Sequence, residues 1–263
     1  MSSAGSNTGL NLWFARLTAA FFLGGQVFYR ILNTKGHWRN TKEQMWMVGP
    51  QSLTIALITA GFVGMVFTIQ VAREFIYFGA SSYVGGVLSL ALTRELAPVL
   101  TAVVVAGRVG SAFAAEIGTM QVTEQIDALY MLRTDPLDYL VIPRVIACSL
   151  MLPLLTIISL LAGMTGGLFV AEYLYKISPT LFLQSAQNFL QFWDLVSSMI
   201  KAAVFGALIA VIGCSWGLTT TGGAKGVGQS TTTAVVTSLM AIFIVNFFLS
   251  WIMFQGTGNK SLG

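Results

Sequence analysis

Two oppositely charged residues, Arg94 and Glu95, stand side by side within the apolar stretch of residues 84–106. A charged side chain at bilayer depth is costly unless it is paired or faces water. We therefore predict that this pair forms part of the polar wall of a cavity. Lys201, which lies in a later apolar stretch, is the candidate partner. The alternative is a pair of charges whose side chains extend to the membrane interface.

A second group of charged residues lies between Glu116 and Pro136. The sequence TEQIDALYMLR predicts a short helix over residues 123–133, with Glu124 in its first turn and Arg133 in its last turn. The Asp-Pro dipeptide that follows stops this helix. Its acidic and apolar side chains favour docking into a groove on a soluble partner protein. A solvated loop helix is the alternative interpretation.

The sequence contains no complete nucleotide-binding or catalytic motif. Residues 217–222 have the opening spacing of a Walker A motif, but Gly223 and Ala224 occupy the positions of its Lys and Ser/Thr. The single histidine, His37, lies in a polar stretch outside the apolar segments, which argues against a Ser/His protease within the membrane. The sequence shows no metal-ligand cluster, so we expect neither a metal nor a cofactor. Energy must then come from a partner protein or an ion gradient.

Composition places the chain in a membrane. Of its 263 residues, 55% are hydrophobic and 9% are charged, whereas soluble domains carry about 25% charged residues. So few charges cannot cover a water-soluble particle of this size. The net charge of +4 fits loop charges that set the topology, and we predict no nucleic-acid partner.

The pattern of apolar segments predicts an all-α membrane protein with three sections. Residues 1–9 are predicted to be disordered, and residues 10–49 to form an amphipathic interfacial helix and a linker. A membrane span over this helix is the alternative. Residues 50–263 form a five-span domain, with region 116–136 between the second and third spans. Each predicted span reaches the ~20 residues that a bilayer requires; the spans cover residues 52–72, 84–106, 139–173, 195–216 and 234–254.

Lysine and arginine residues in the loops set the predicted orientation. The N-terminal segment and the loops after the second and fourth spans are richer in these residues than the opposite side. We therefore predict that the N-terminus and region 116–136 are cytoplasmic and that the C-terminus is periplasmic.

Small residues recur at every fourth position of the second span, from Ala102 to Gly118. Such a row lets helix backbones approach closely within lipid. Packing within the chain and contact with a second copy would both explain it.

Apolar side chains of the first and fifth spans are candidates for lining a site for acyl chains. At helical spacing, contact with lipid or packing within the protein explains them equally well. The candidates are Phe62, Val66, Ile69, Phe243 and Phe247.

The segment RELAPVLTAVVVAGRVGSAFAAEIGTMQVTEQIDAL, residues 94–129, resembles the MlaE/YrbE family of ABC-type permeases, which work with MCE proteins in lipid transport. The dipeptides Pro143-Arg144 and Ile200-Lys201 also match. The resemblance extends from the interfacial helix to the last span, and cyanobacterial and chloroplast-envelope relatives fit this kind of sequence.

The resemblance implies a homodimer in the bacterial inner (plasma) membrane. Two cytoplasmic ABC ATPase subunits would bind the coupling region 116–136, and the chain itself would be no enzyme. An MCE-domain lipid-binding protein would exchange phospholipid or glycolipid with a cavity between the protomers. Arg94, Glu95 and Lys201 would be its polar residues, and some relatives carry an acidic residue where this chain has Asn246. The coupling residues would be Glu116, Glu124, Gln125, Asp127 and Arg133.

Two other functions are alternatives. An ion-coupled secondary transporter would use Arg94 and Glu95, but such folds usually contain an inverted repeat, which the five-span pattern does not show. The other is a scaffold that organises other membrane proteins.

Overall fold

The computed structural model describes residues 4–33 and 38–255. Within these ranges the chain is helical and has no strand, which confirms the predicted all-α class. A helix suits a membrane because it satisfies its backbone N–H and C=O groups internally. Five described segments are long and apolar enough to cross a bilayer, so the chain is an integral membrane protein. We call them spans 1 to 5: Trp38–Tyr77, Ser81–Val122, Leu137–Tyr173, Phe192–Leu218 and Gly223–Phe254.

The N-terminal helix covers Ala4–Asn33, and it therefore begins within the section for which we expect disorder. Residues 1–3 of that section lie outside the described residues, as does His37. Placement of this helix in the membrane interface stays a prediction.

Span 1 begins earlier than predicted, because the expected linker includes the helix Trp38–Val48. A second helix, Pro50–Tyr77, follows directly. Pro50 stands at its start, where a missing backbone N–H breaks no helical hydrogen bond. The linker is thus largely helical within the described residues.

Spans 3 and 4 are connected by a helix, Pro179–Phe189, that the sequence analysis does not predict. Its buried residues Phe182, Ser185 and Ala186 recur at helical spacing. The helix carries no charge and lies between two longer apolar runs. Its short apolar pattern therefore does not mark it as a separate helix in the sequence.

The predicted coupling helix is shorter than expected and covers Gln125–Met131. Glu124 is predicted to lie in the first turn of this helix. It instead precedes the helix, in a left-handed conformation with φ of 60°. The reason is the preceding helix Ser111–Val122, which has just ended. The Glu124 N–H bonds to the carbonyl of Gln121, so the chain turns here before the next helix begins.

The other end of this short helix is closed by Arg133, which is also left-handed with φ of 56°. The N–H of Arg133 bonds to the carbonyl of Tyr130, and the N–H of Thr134 bonds to the carbonyl of Leu129, both at 3.0 Å. This pair of bonds is a Schellman motif, in which glycine usually occupies the left-handed position. Arg133 therefore lies beyond the last turn rather than within it.

The contacts divide the chain into two compact units, each built from three separate stretches. Unit A contains the described residues of Gly49–Val104, Ser149–Phe205 and Ile242–Gly263. Unit B contains those of Met1–Val48, Val105–Cys148 and Gly206–Ala241.

Unit A is held together by close backbone approach between spans 1 and 3. A Cβ atom added at Gly64 would lie 2.0 Å from the carbonyl oxygen of Gly163. Packing of this kind drives helix association in lipid. An apolar core lies in the same unit and contains Ala72, Val84, Leu88, Leu92, Ala171, Ile177 and Phe182.

Unit B contains most of the small-residue row of span 2. Ala106 and Ala114 are fully buried, and a Cβ atom at Gly213 of span 4 would lie 2.9 Å from the carbonyl oxygen of Gly110. This row therefore packs within the chain. Gly107, on the neighbouring row, has open space beside it.

Three segments of π-helix interrupt the described helices, and each contains a charged residue. Leu92–Leu96 includes Arg94 and Glu95. The segments Ala106–Gly110 and Leu137–Val141 include Arg108 and Asp138, respectively. Since π-helix is rare and frequently found at functional sites, the first segment points to the Arg94–Glu95 pair, and the other two flank region 116–136.

Candidate functional site

Lys201 is the centre of a group of polar side chains in unit A. Its side chain is completely buried. Its Nζ atom donates hydrogen bonds to the carbonyl of Arg94 at 2.8 Å, to Glu95 Oε1 at 2.9 Å and to Ser250 Oγ at 2.7 Å. An ammonium group has three N–H donors, so each donor of Lys201 has a partner within the protein.

Glu95 accepts hydrogen bonds on both oxygens. Ser250 Oγ donates to Oε1 at 2.7 Å, beside the bond from Lys201, and Asn246 Nδ2 donates to Oε2 at 2.7 Å. The Glu95 side chain nevertheless keeps 42% of its surface exposed. The carboxylate is thus fixed from one side by three donors and open on the other.

Arg94 is held by a different partner. Its Nε donates to Asp194 Oδ1 at 2.8 Å, and Asp194 is almost completely buried. Asp194 Oδ2 in turn accepts a hydrogen bond from the backbone N–H of Gln191. The Arg94 guanidinium lies 4.6 Å from the centre of the Phe254 ring, within cation–π range. Its side chain is 37% exposed.

We call these residues the polar cluster; they are Arg94, Glu95, Asp194, Lys201, Asn246 and Ser250. Two cations face two carboxylates, so the cluster has no formal net charge. Spans 2, 4 and 5 each contribute to it. Asn246 Oδ1 is buried without a hydrogen-bond partner among the described residues. A neutral group with hydrogen-bonded carboxylates and ammonium can nevertheless persist in an apolar region without a bound ion.

The polar cluster contains the three predicted cavity residues together with three that the sequence analysis does not name as site residues. Asp194 precedes Lys201 by seven residues, which is two helical turns, so both lie on one face of span 4. Asn246 and Ser250 are four residues apart on one face of span 5. Helical spacing from Lys201 is the signal that could have identified Asp194.

The five predicted lipid-lining residues are exposed on the single chain. Phe62 and Val66 of span 1 and Phe247 of span 5 each keep more than half of their surface exposed. Ile69 and Phe243 are exposed as well. Their role in binding acyl chains stays a prediction.

The coupling region lies in unit B, where Glu116 is joined to Arg144. Arg144 Nη2 and Glu116 Oε2 are 2.8 Å apart, and Arg144 also donates to the carbonyl of Leu140. In the sequence, Arg144 is notable only as part of a dipeptide that matches the family, whereas in the structure its side chain is buried. The guanidinium lies 5.4 Å from the Phe113 ring. Glu116 is therefore bound on one side and half exposed on the other.

The remaining coupling candidates Glu124, Gln125, Asp127 and Arg133 are all exposed. Three apolar side chains at the end of the same helix are exposed too: Tyr130 by 59%, Met131 by 86% and Leu132 by 74%. Acidic and apolar side chains thus share one exposed surface, which we call the helix 125–131 surface. It combines charge with apolar area, as protein-docking helices do.

Arg30 joins the N-terminal helix to the end of the coupling region. Its Nη1 donates to the carboxylates of Asp135 and Asp138. These hydrogen bonds, chiefly the one to Asp135, raise the pKa of Arg30 above its ordinary value. Arg30 therefore stays charged at every physiological pH.

No metal-ligand group is found in the described ranges, because no three His, Cys, Asp or Glu side chains there are arranged to hold an ion.

Comparison with known proteins identifies relatives along the whole chain. The family model described as Permease MlaE matches residues 41–252. A Synechocystis protein named "Probable ABC transporter permease protein" is 73% identical over 263 residues, covering all of both chains. The chloroplastic Arabidopsis thaliana protein TRIGALACTOSYLDIACYLGLYCEROL 1 is 56% identical over 238 residues, which are 90% of this chain and 68% of that protein. A permease protein of the same description from Rickettsia typhi is 44% identical over 213 residues, 81% of this chain and 82% of its own.

Proposed function

The chain belongs to the MlaE permease family, and we propose that it moves phospholipid or glycolipid in an ATP-driven complex. Its relatives are named as permease proteins of ABC transporters, and the chain is a permease subunit of this class. One relative, 56% identical, carries the name of a glycolipid. The exposed apolar side chains of spans 1 and 5 are suited to acyl chains.

The observation that carries the proposal is the helix 125–131 surface. Asp127 and the exposed Tyr130, Met131 and Leu132 lie on a short helix between two spans. Apolar side chains exposed to this extent favour a protein partner. The sequence lacks a nucleotide-binding motif of its own, so we infer that the partner is an ABC ATPase that hydrolyses ATP. Movement of this helix would transmit the conformational change of the ATPase to the spans.

We further infer a homodimer, since the lipid-lining candidates are exposed on a single chain and would line a cavity only against a second copy. The open space beside Gly107 leaves room for close approach of another helix. An MCE-domain lipid-binding protein would meet the dimer on the periplasmic side of the inner membrane. The N-terminus and the helix 125–131 surface would then be cytoplasmic and the C-terminus periplasmic.

The polar cluster would face the cargo through Arg94. Among the described residues, only the Nε atom of its guanidinium has a hydrogen-bond partner. The remaining N–H groups can donate to the phosphate or sugar oxygens of a lipid headgroup. Glu95 and Lys201 would hold the spans around this cation.

The test is reconstitution of the chain with its ATPase in lipid vesicles, followed by lipid-stimulated ATP hydrolysis. We expect Asp127→Lys and Glu124→Lys to abolish the stimulation while the chain stays folded in the membrane. Glu74→Lys is the matched control, because Glu74 is equally an exposed acidic residue but lies on helix Pro50–Tyr77. Unchanged coupling in the first two variants would contradict the proposed docking. Lipid transport by the chain alone under a proton or sodium gradient would instead favour the ion-coupled alternative.

A further inference from the structure

A cavity of about 300 Å³ lies in unit B between the N-terminal helix and the start of span 5. None of its lining residues belongs to the polar cluster or to the helix 125–131 surface. Its polar lining consists of Trp13, Arg16, Thr221, Gln229, Ser230 and Thr233. The lining contains one cation, three hydroxyl groups and no carboxylate.

Arg16 is the only charged side chain in this lining. Its Nη2 donates to the carbonyl of Thr219 at 3.1 Å and its Nη1 to Ser230 Oγ at 3.5 Å. A guanidinium has five N–H donors. The structure therefore fixes the orientation of Arg16 while leaving three donors without a partner among the described residues.

The first turn of span 5 adds to the positive potential. The helix begins at Gly223, and Gly226 lines the cavity from its first turn, while Gln229, Ser230 and Thr233 line it from the next two. The N-terminal end of a helix carries a partial positive charge. A cation, a helix start and hydroxyl donors around one volume are suited to an oxyanion.

We propose that this cavity binds a phosphate group, either as the headgroup of an anionic phospholipid or as free phosphate. Arg16 would form charge-assisted hydrogen bonds with two phosphate oxygens, and the hydroxyl groups of Thr221 and Ser230 would donate to the others, since the hydroxyl group of Thr233 already donates to the carbonyl of Gln229. A volume of about 300 Å³ is large enough for a phosphate with its ester group. The site would tie the N-terminal helix to span 5 when it is occupied.

The surroundings fit a lipid source. Phe21 and Phe22, five and six residues beyond Arg16 on the same helix, are 82% and 70% exposed. Exposed aromatic side chains on a helix that carries an anion site are suited to the boundary between headgroups and acyl chains. The lining shares no residue with the polar cluster or with the lipid-lining candidates, so its occupancy and the transport activity can be measured with separate variants.

The experiment uses the purified full chain in a neutral maltoside detergent. Binding is measured by native mass spectrometry and by the thermal unfolding midpoint, with added phosphatidylglycerol, phosphatidylcholine or inorganic phosphate as three separate probes. Arg16→Gln is the test variant. Arg39→Gln is its control, because Arg39 is an arginine on helix Trp38–Val48 whose side chain is 93% exposed.

We expect the wild type and Arg39→Gln to bind phosphatidylglycerol more tightly than phosphatidylcholine, and Arg16→Gln to bind it roughly 10- to 100-fold more weakly. Preference for phosphatidylglycerol over inorganic phosphate identifies a lipid headgroup. Saturation by inorganic phosphate with no preference between the two lipids identifies free phosphate. The proposal is overturned if, for each probe, the wild type, Arg16→Gln and Arg39→Gln bind with the same affinity.

Loss of the bonds from Arg16 to Thr219 and Ser230 could also unfold the chain. Thr221→Val is the second test variant, since it removes one lining hydroxyl and keeps the side-chain volume. We expect a several-fold loss of phosphatidylglycerol or phosphate affinity with an unchanged unfolding midpoint in the absence of ligand. Full affinity in a folded Thr221→Val variant, together with an unfolded Arg16→Gln variant, would assign Arg16 a structural role and would also overturn the proposal.

Discussion

Replacement of Lys201 by Met is the sharpest test of the polar cluster. The substitution keeps most of the side-chain length but removes the ammonium group. Three acceptors then lose a donor: the carbonyl of Arg94, Glu95 Oε1 and Ser250 Oγ. Because Lys201 is completely buried, water cannot readily replace it at these positions.

The expected loss in the free energy of unfolding depends on the hydrogen bonds that Glu95 keeps. Breaking a buried ion pair by removing one partner costs about 3–5 kcal/mol. Glu95 keeps its bonds from Asn246 and Ser250 and is partly exposed, so we expect the lower end, about 3 kcal/mol, for Lys201→Met. Glu95→Gln leaves a fully buried ammonium without its carboxylate, and we expect about 3–5 kcal/mol.

The double variant separates pairing from packing. With both charges removed, neither residue is left as an unpaired ion. We expect the loss in the double variant to be smaller than the sum of the two single losses by about 2 kcal/mol, which lies in the range for residues in direct contact. Additive effects within about 0.5 kcal/mol would refute the claim that these two groups stabilise one another.

The assay is reversible unfolding of the purified chain in mixed micelles of dodecyl maltoside and sodium dodecyl sulfate. Lys225→Met is the control, because Lys225 is an exposed lysine near the start of span 5. We expect that variant to differ from the wild type by less than about 0.5 kcal/mol.

Four further outcomes are expected. Gly64→Ala should lower the free energy of unfolding by about 1–3 kcal/mol through overpacking, whereas Gly25→Ala, with open space at its Cβ position, should not lower it in the same unfolding assay. Arg133→Gly should raise the unfolding midpoint through a gain of about 0.5–1 kcal/mol at the left-handed position, and a fall in the midpoint would contradict the assigned conformation. Arg30→Gln should speed hydrogen exchange in the N-terminal helix, and high salt should do the same in the wild type because the pair is partly exposed. Arg94→Lys should leave stability within about 1 kcal/mol while weakening retention of co-purified lipid measured by mass spectrometry, and equal retention would exclude Arg94 from the headgroup site.

The spans and the central ion pair could be predicted because charge is so rare in this chain. Arg94, Glu95 and Lys201 stand out against apolar neighbours, and a buried charge in lipid needs a partner. Asp194 gives a weaker signal, because an ordinary carboxylate at the membrane interface would also stand at the beginning of an apolar run. Asn246 and Ser250 are uncharged, and such residues are tolerated in spans, so only their positions beside Glu95 show their role.

The turns around the coupling region could not be predicted from local preferences. A left-handed conformation is uncommon for residues other than glycine, so a sequence with Glu124 and Arg133 favours a helix that continues through both. The structure instead ends one helix at Val122 and begins the next at Gln125. Such conformations persist only where the surrounding contacts impose them, and they are concentrated at functional segments.

The two cations of the polar cluster have different tasks, and the difference follows from counting donors. Lys201 uses all three N–H groups within the protein and has no exposed surface, so it can only hold spans together. Arg94 uses Nε toward Asp194, while its side chain remains partly exposed. Because the cluster is neutral as a whole, it needs no ligand to stay folded. A cargo headgroup would therefore gain its contacts from Arg94 without disturbing the bonds on which the spans depend, and release of that cargo would leave the cluster intact for the next cycle.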